Sequence, residues 1–509
     1  MLSTTLCYGI SGIDGIQITV EVNISAGLPM FEIVGLPDAA VKEARERIRA
    51  ALKNCGYDFP DNRITVNLAP ADIKKEGPAF DLPIAIAILA CIKKVNPITI
   101  RETAILGELS LDGTVRPVRG ALPMVISARS HGIKQMILPN GNTGEVNCVE
   151  GISLIPAKTL VGVVRHLSGE EPILPIETLS YEQMLGMREY SCDFRFVKGQ
   201  ASAKRALEIA AAGGHNVLMV GPPGSGKTLM ARCMPSILPD MTFDEALEST
   251  RIHSVAGCTP ESGLLTERPF RSPHHTASHV SLVGGGMHAT PGEISKAHNG
   301  VLFLDELPEY KRDVLEALRQ PMEDGFVTIT RVNAQSTYPS EFMLICSMNP
   351  CPCGHFGSLT HECRCSQNDI RRYLSRVSGP LLDRIDIHIE IESIPAERLQ
   401  DDSASEASCD IRARVESARA YQRSRYKDQK IASNARLTAQ NLQTFCQMDQ
   451  ESKSMLNMAS KTMGLSNRAF TRVIKVARTI ADLDQSEIIC ANHIAEALQY
   501  RAIDDKYWH

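Results

Sequence analysis

The sequence lacks the features that would place the chain in a membrane or outside the cell. No stretch reaches the roughly 18 consecutive apolar residues of a membrane-spanning helix. The longest apolar run, 82–92, directly follows Asp81 and contains Pro83. The first residues, 1–6, offer no basic region ahead of an apolar one, so no secretory signal peptide is predicted. We therefore expect a cytoplasmic protein with no membrane partner.

An excess of positive charge and a disulfide framework are also missing. The chain has 54 Lys and Arg against 59 Asp and Glu, a net charge of −5, so any contact with nucleic acid must be local. Of its 15 cysteines, an odd number, all but four are scattered singly, which favours reduced thiols. At 509 residues the chain is too long for a single core, since domains average about 150 residues.

One segment near the middle of the chain matches a phosphate-binding pattern in full. Residues 221–228 fit G-x-x-x-x-G-K-[ST] and lie between an apolar run, 216–220, and a helix-forming run, 229–233. In this context Lys227 reaches the β and γ phosphates of a nucleotide, and the Thr228 hydroxyl holds Mg²⁺. The predicted nucleotide-binding residues are Gly221, Pro222, Pro223, Gly224, Ser225, Gly226, Lys227 and Thr228.

A second apolar run, 300–304, ends in two carboxylates. The tip of a buried strand in an open α/β sheet suits a Mg²⁺ ligand, which predicts that Asp305 shares the ion with Thr228. Glu306 can polarise the attacking water as a general base. Taken alone, such a pair also marks an ordinary solvated strand end, but together with the phosphate loop it predicts ATP hydrolysis.

Further segments resemble those of AAA+ ATPases, and the resemblance implies their roles. Residues 193–200 are similar to the segment that touches adenine. Asn349 follows an apolar strand and matches sensor 1, which holds the attacking water or the γ-phosphate. Arg384 lies in a Leu-Leu-x-Arg-φ-Asp pattern that resembles the arginine finger of the magnesium-chelatase and MCM-like branch, and guanidinium suits that task because it forks onto phosphate oxygens. Arg468 follows a predicted N-cap, Ser466, and matches sensor 2.

The segment between the phosphate loop and the acidic pair resembles the insert of magnesium-chelatase-like AAA+ proteins. A hairpin-like stretch, 324–332, resembles the hairpin that precedes sensor 1. Arg331 and Lys296 are candidates for phosphate contacts, with surface or intersubunit ion pairs as the alternative. For His274 and His275 a structural role is favoured over a metal site.

Four cysteines follow sensor 1 closely, in two C-x-C pairs. They are Cys351, Cys353, Cys363 and Cys365. Four thiolates in a short stretch of a cytoplasmic chain suit a closed tetrahedral Zn²⁺ site, although the spacing is tighter than the usual C-x₂₋₄-C. Free or redox-active thiols are the alternative, and His355 or His361 can substitute for one ligand.

The first third of the chain resembles the proteolytic domain of Lon proteases, which has a ribosomal-protein-like α+β fold. The likeness lies in residues 74–85, 113–120 and 132–139. Ala79 stands where the family has its nucleophilic serine, and Leu122 stands near the position of the dyad lysine. A methyl group cannot act as a nucleophile, so no active protease is expected.

Over nearly its whole length the chain resembles the ComM/YifB family of bacterial magnesium-chelatase-like ATPases. The resemblance implies a hexameric, ATP- and Mg²⁺-dependent motor on single-stranded or branched DNA, with helicase and branch-migration activity in natural transformation. The residues alone argue for ATP hydrolysis in a ring and do not name the polymer. A chelatase-type motor that remodels a protein partner remains the alternative.

The fold class expected is a multidomain α/β protein. Residues 1–170 form a Lon-protease-like α+β domain without its catalytic dyad, and 171–192 form a linker. Residues 193–395 form an AAA+ ATPase core with its insert and cysteine-rich loop, and 396–509 form a helical linker and lid. The arginine-rich run 411–430 is interpreted as a solvated helix face, with a phosphate-contacting face as the alternative.

Overall fold

In the computed structural model, the chain forms two compact units. The structure describes residues 1–186, 188, 190–260, 263–286, 289–331, 334–357, 361–393, 405–427, 429 and 431–508. The first unit comprises Met1–Met187, Phe243–Thr266 and Thr330–Ser336, and the second comprises Arg188–Thr242, Glu267–Ile329 and Thr337–His509.

The first unit is built on a mixed sheet that, in the described residues, has seven strands in the order β3-β4-β2-β1-β5-β8-β9. Its strands, with the separate β6/β7 pair, are β1 (Leu2–Ser11), β2 (Asp14–Ser25), β3 (Met30–Val34), β4 (Arg63–Ala69), β5 (Thr103–Ile105), β6 (Glu108–Leu109), β7 (Val115–Arg116), β8 (Gln135–Pro139) and β9 (Ser153–Ala157). Its helices include α1 (Ala39–Asn54), α2 (Asp81–Cys91), α3 (Ala121–Ser130), α4 (Thr143–Val146), α5 (Leu160–Ser168) and α6 (Tyr181–Gly186). This arrangement confirms the α+β architecture expected for the first third of the chain.

Helices α1 and α2 contribute to the core of this unit the apolar residues that the sequence pattern predicts to be buried. The helical spacing in α1 is confirmed, and the helix starts where the Asp38 side chain accepts a hydrogen bond from the Val41 amide at 2.8 Å. Every residue of α2 is buried, as expected of a helix that is apolar on all sides. The longest apolar run is thus a core helix, and no helix among the described residues has the length and apolarity needed to cross a bilayer.

The second unit contains a parallel sheet of five strands, as far as the chain is described, in the order β11-β14-β17-β10-β18. The remaining strands of the chain are β10 (Val217–Val220), β11 (Phe270–Arg271), β12 (Gly284–Gly285), β13 (Thr290–Pro291), β14 (Val301–Leu304), β15 (Phe326–Arg331), β16 (Ala334–Pro339), β17 (Met343–Met348) and β18 (Ile387–Glu390). Strands β10, β14 and β17 are buried throughout, which explains their continuous apolar sequence. The predicted hairpin is present as the paired strands β15 and β16.

Several helices of the second unit share one hydrophobic core with this sheet: α7 (Ala201–Gly213), α8 (Lys227–Ile237), α16 (Ser408–Arg425), α17 (Ala439–Phe445), α18 (Gln450–Thr462), α19 (Asn467–Leu483) and α20 (Ala491–Gln499). The other helices in this part of the chain are α9 (Phe243–Ala256), which belongs to the first unit, and α10 (His279–Val283), α11 (Glu293–Lys296), α12 (Arg312–Glu316), α13 (Arg319–Asp324), α14 (Gln367–Leu374), α15 (Gly379–Leu382) and α21 (Ile503–Tyr507). The C-terminal part is helical, as the sequence predicted.

Helix α9 folds with the first unit, although its sequence lies between the phosphate loop and the acidic pair. The Gly120 amide donates to the Ser254 carbonyl at 3.1 Å. The buried Glu145 carboxylate accepts hydrogen bonds from the Ser254 hydroxyl at 3.0 Å and the Thr259 hydroxyl at 3.1 Å. Burial raises the pKa of Glu145 despite these donors. The segment 243–260 therefore packs with α3 and α4 of the first unit.

Three arginines of α16 are bonded within their own unit, which corrects the interpretation of this run as a solvated face for these three, whereas Arg414 and Arg423 are exposed. Arg412 donates to the Tyr190 hydroxyl at 2.8 Å, and Arg419 donates to the Ala432 carbonyl at 2.9 Å. Arg425 forms an ion pair with Asp482, a carboxylate that is itself fully buried. A helix that is rich in arginine thus binds acids and carbonyls of its own unit, a pairing that sequence spacing does not reveal.

Candidate nucleotide-binding site

The phosphate loop connects β10 to α8, as the sequence predicted. Strand β10 ends at Val220, and α8 begins at Lys227. Gly226 caps the helix with a φ of 90°, a left-handed backbone conformation that glycine adopts without steric cost. The loop therefore lies at the N-terminal end of α8, where backbone N–H groups and the helix dipole favour a phosphate.

Lys227 is buried in this loop and touches groups on both sides of it. The residue is only 8% exposed, and its Nζ donates to the carbonyls of Gly221 at 2.7 Å and Pro222 at 2.8 Å. Nζ also lies 3.4 Å from Oδ1 of Asn349, so the structure brings the predicted sensor 1 to the lysine. Burial lowers the pKa of Lys227 to about 8, against the opposite effect of Asp305 and Glu306.

Asp305 lies at the end of β14 and accepts hydrogen bonds on both of its oxygens. Oδ2 accepts from the Thr228 hydroxyl at 2.8 Å. Oδ1 accepts from the Glu306 amide at 3.1 Å and from the Ser347 hydroxyl, which comes from the neighbouring strand β17. Hydroxyl and carboxylate oxygens are the ligands that Mg²⁺ prefers, so Thr228 and Asp305 fit the predicted ion. Ser347 was not predicted, because a serine inside an apolar strand carries no distinctive pattern.

Glu306, the predicted general base, follows Asp305 in a left-handed backbone conformation with φ 54° and ψ 49°. Its Oε2 lies 3.5 Å from Nδ1 of His275, and slightly more than half of the side chain is exposed. The ring of His275 packs against that of His274 in a tilted arrangement, with ring centroids 4.1 Å apart. The sequence interpretation favoured a structural role over a metal site for this histidine pair and missed the contact of His275 with Glu306, since no local spacing links positions 275 and 306.

Asn349 directly follows strand β17, which ends at Met348. The hydroxyl of the buried Tyr373 lies near the Asn349 backbone. Burial raises the pKa of Tyr373, which keeps that hydroxyl neutral. Sensor 1, the phosphate lysine and the acidic pair are therefore assembled at one edge of the sheet, where β10, β14 and β17 end.

Arg384 lies at the opposite edge, where these parallel strands begin. Its carbonyl accepts a hydrogen bond at 3.0 Å from the side chain of Asn216, the residue before β10. Arg384 is 5% exposed, and its guanidinium donates to the Pro380 carbonyl at 2.6 Å and forms an ion pair with Glu323. The finger candidate is thus separated by the length of β10 from the phosphate loop of its own chain.

Arg468 is the second residue of α19 and is exposed. The predicted N-cap is confirmed, because the Ser466 side chain accepts from the Ala469 amide at 3.2 Å. One turn further along α19, Arg472 donates to the Arg384 carbonyl at 3.1 Å. Within the described part of the chain, the structure brings neither Arg384 nor Arg468 to the phosphate loop.

The two candidates for DNA contacts have different outcomes. Lys296 Nζ forms an ion pair with Glu293 at 2.6 Å, and Arg271 Nε binds the same carboxylate at 2.6 Å. Lys296 is therefore paired within its own subunit, an arrangement that differs from both the predicted phosphate contact and its alternative of surface charges or intersubunit pairs. The side chain of Arg331 lies outside the described residues.

The four clustered cysteines converge as predicted. Their sulfur atoms all lie within 4.8 Å of one another. Cys351 Sγ is 3.4 Å from Cys353 Sγ and 3.7 Å from Cys363 Sγ, and Cys353 Sγ is 3.6 Å from Cys363 Sγ. A tetrahedral ion with Zn–S bonds of about 2.3 Å places its sulfurs about 3.8 Å apart, so the cluster has nearly the dimensions of a zinc site. His355 and His361 stack on each other, with ring centroids 4.9 Å apart.

The dyad positions of the Lon-like domain carry no reactive group. Ala79 and Leu122 are both buried in the hydrophobic core of the first unit. A buried alanine and a buried leucine offer neither a nucleophile nor a base.

Three family models match the chain. "Magnesium chelatase, subunit ChlI" matches residues 193–399, "Subunit ChlI of Mg-chelatase" matches 20–142, and "Magnesium chelatase, subunit ChlI C-terminal" matches 405–501. These matches cover the phosphate loop, the acidic pair, both candidate arginines and most of the Lon-like domain.

Several curated proteins are similar to the chain over almost its full length. The uncharacterized protein YifB of Escherichia coli is 44% identical over 97% of this chain and 96% of its own. The competence protein ComM of Haemophilus influenzae is 43% identical over 97% and 96%. Lon protease 2 of Bacillus subtilis is 30% identical over 31% of each chain, which agrees with a Lon-like domain that makes up only part of this protein.

Proposed function

The chain belongs to the magnesium-chelatase-like family of YifB and ComM, an AAA+ ATPase-related family, and on that premise we propose that it is a ring-forming ATPase that drives a motor on DNA. We infer helicase or branch-migration activity that promotes homologous recombination in natural transformation. The preferred substrate is single-stranded or branched DNA.

ATP hydrolysis is the part of the proposal that the geometry supports best. The observation that carries it is the hydrogen bond from Thr228 to Asp305, made beside the Lys227 to Asn349 contact. Lys227 would bind the β and γ phosphates, Glu306 would take a proton from the attacking water, and Asn349 would orient that water. Mg²⁺ on Thr228 and Asp305 would neutralise charge on the phosphate oxygens.

The ring is supported by the position of the two arginines. Arg384 lies at the edge of the sheet away from its own phosphate loop, and Arg468 lies on α19 one turn before Arg472, which donates to the Arg384 carbonyl. In a closed ring, a neighbouring subunit would present these arginines to the loop. Their positive charge would then stabilise the negative charge of the γ-phosphate. We propose a hexamer, formed in the presence of ATP and DNA.

The DNA part of the proposal rests on a relative. ComM of Haemophilus influenzae is named a competence protein, and it is 43% identical to this chain over nearly the full length of both. The alternative is a motor that remodels a protein partner. Its support is that the matching family models are described as a magnesium chelatase subunit.

Strand displacement on a forked duplex and on a four-way junction, with Mg²⁺ and ATP, tests the DNA motor. Wild-type protein should resolve both substrates, and DNA should stimulate its ATPase. Lys227→Ala should do neither while it still forms folded protein. ATPase that is unchanged by DNA, with no substrate resolved, would exclude the motor on DNA and favour the protein-remodelling alternative.

Two further properties belong to the proposal. The Lon-like domain should be proteolytically inactive, and ATP-dependent digestion of casein by pure protein would overturn this. The cysteine cluster should bind structural Zn²⁺, in addition to the Mg²⁺ that accompanies ATP.

A further inference from the structure

The cysteine cluster adjoins two parts of the ATP site, Asn349 and the phosphate loop. Asn349 and Cys351 are separated by one residue, so the first two thiols continue the backbone that leaves β17. Cys351 is fully buried. Any displacement of these thiols is therefore passed along two peptide units to sensor 1.

The turn formed by residues 351–354 is in contact with the phosphate loop. The Gly354 amide donates to the Cys351 carbonyl at 3.0 Å, and Gly354 has a φ of +82°. A Cβ built on Gly354 would lie 2.6 Å from Cδ and 3.2 Å from Cγ of Pro223. The backbone at Gly354 thus touches the phosphate loop so closely that no side chain fits between them.

On its other side, the turn is connected to the C-terminal helix. The Phe356 amide donates to Cys351 Sγ at 3.3 Å, and the Phe356 ring meets Tyr507 of α21 with centroids 6.2 Å apart. The Tyr507 hydroxyl donates to Glu390, the last residue of β18, at 2.9 Å. The turn is therefore connected through Phe356 and Tyr507 to the end of β18, which lies beside the end of β10 at the nucleotide edge of the sheet.

Without a metal ion, hydrogen bonds among four cysteines give this turn little cohesion, since S–H is a weak donor and sulfur a weak acceptor. A bound metal ion would connect all four sulfurs at the spacing that they already have. We propose that Zn²⁺ held by the four cysteines braces the phosphate loop through Gly354 and fixes Asn349, so that ATP hydrolysis depends on metal in the cluster. This inference rests on the ATPase function proposed above.

The test uses full-length protein purified without chelator. Elemental analysis should find one zinc ion per chain in the wild type. The double variant Cys363→Ser/Cys365→Ser should lose the zinc and should hydrolyse ATP about tenfold more slowly or worse, because small displacements of catalytic groups are costly. Zinc far below one ion per chain in the wild type would overturn the site, and zinc-free variant with wild-type ATPase would overturn the brace.

A pair of glycine variants keeps the test valid if the cysteine variant folds poorly. Gly354→Ala adds a methyl group against Pro223, so it should retain zinc and lose about tenfold in kcat. Gly357→Ala is the matched control: its φ of +76° is similar, but its Cβ would meet only the flexible end of Lys506 at 3.4 Å. Equal activity of these two variants would contradict the brace. If zinc-loaded wild type shows no ATPase with or without DNA, it is the proposed function that fails.

Discussion

The Thr228 hydroxyl donates a hydrogen bond to Asp305 Oδ2 at 2.8 Å, across 77 residues of the chain. The two residues follow β10 and β14, which flank the central strand β17. Their contact exists because parallel strands end at a common edge, so residues that are distant in sequence become neighbours. Both oxygens then face the place where the phosphates of a nucleotide would lie.

Thr228 variants should separate the hydroxyl from the rest of the side chain. Thr228→Ser keeps the hydroxyl and should keep ATPase activity within a few fold. Thr228→Ala should lose roughly 10²-fold or more in kcat and need more Mg²⁺ for half-maximal rate, because one metal ligand is gone. A Mg²⁺ titration of the steady-state ATPase rate measures both effects. Identical Mg²⁺ dependence in the two variants would contradict a metal-binding role.

His275 should act as a positioning residue for Glu306, which its Nδ1 approaches to 3.5 Å. As a reference, Glu306→Gln should bind ATP and lose 10²- to 10⁴-fold in kcat, as removal of a general base does. His275→Ala should lower kcat by about tenfold and leave KM for ATP nearly unchanged, since the base is present but less well aimed. His274→Ala is the control, because His274 hydrogen-bonds Thr276 instead, at 2.9 Å. Equal loss in both histidine variants would indicate a structural role only.

The sequence predicted those parts of the site that are formed by short, contiguous sequence motifs. Lys227, Thr228 and Asp305 were assigned correctly to one place because strand, loop and acidic pair are local patterns whose geometry follows from the fold class. His275 and Ser347 were missed, because their roles depend on tertiary contacts that no spacing encodes.

The same difference between local and tertiary information holds for the fold. Helix α1 was predicted because its buried residues recur at helical spacing. The ion pair of Arg425 with the buried Asp482 was not predicted, since a charged run is normally solvated and the burying elements lie far away in sequence. The sequence of α9 also did not predict that this helix belongs to the first unit. Its residue Ser254 hydrogen-bonds Glu145, which precedes it by about a hundred residues.

Lys227 should make nucleotide binding depend on pH. Burial lowers the pKa of its ammonium group from 10.5 to about 8, so without ligand the lysine is charged below that pH and largely neutral above it. Phosphate favours the charged form, and binding above pH 8 must therefore take up a proton. Affinity for a non-hydrolysable ATP analogue should fall by up to about tenfold per pH unit above 8.

Calorimetry in buffers of different ionisation enthalpy measures this proton uptake. Wild type should take up more protons near pH 9 than near pH 7. Lys227→Arg is the control, because guanidinium stays charged at both values. The same uptake in wild type and variant near pH 9 would assign it to the ligand or to another group.

Arg384 should act on the ATP of a neighbouring subunit. Arg384→Ala and Lys227→Ala should each lose at least 10³-fold in ATPase rate, the effect expected of an arginine finger. In an equal mixture, sites that combine an intact phosphate loop with an intact neighbouring arginine make up about one quarter of the total, so roughly a quarter of wild-type activity should return.

The structure sets the controls for this mixing experiment. Arg384 is buried and paired with Glu323, so its removal can disturb the fold as well as the chemistry. Glu323→Ala removes the ion-pair partner of the guanidinium and should leave the ATPase rate within a few fold of wild type. Arg384→Lys keeps the positive charge but lacks the forked hydrogen-bond donors of guanidinium, so it should remain impaired. Light scattering must show that the mixed subunits form rings. If mixed rings form and no activity returns, Arg384 does not complete a neighbour's site, and its ion pair with Glu323 is its whole function.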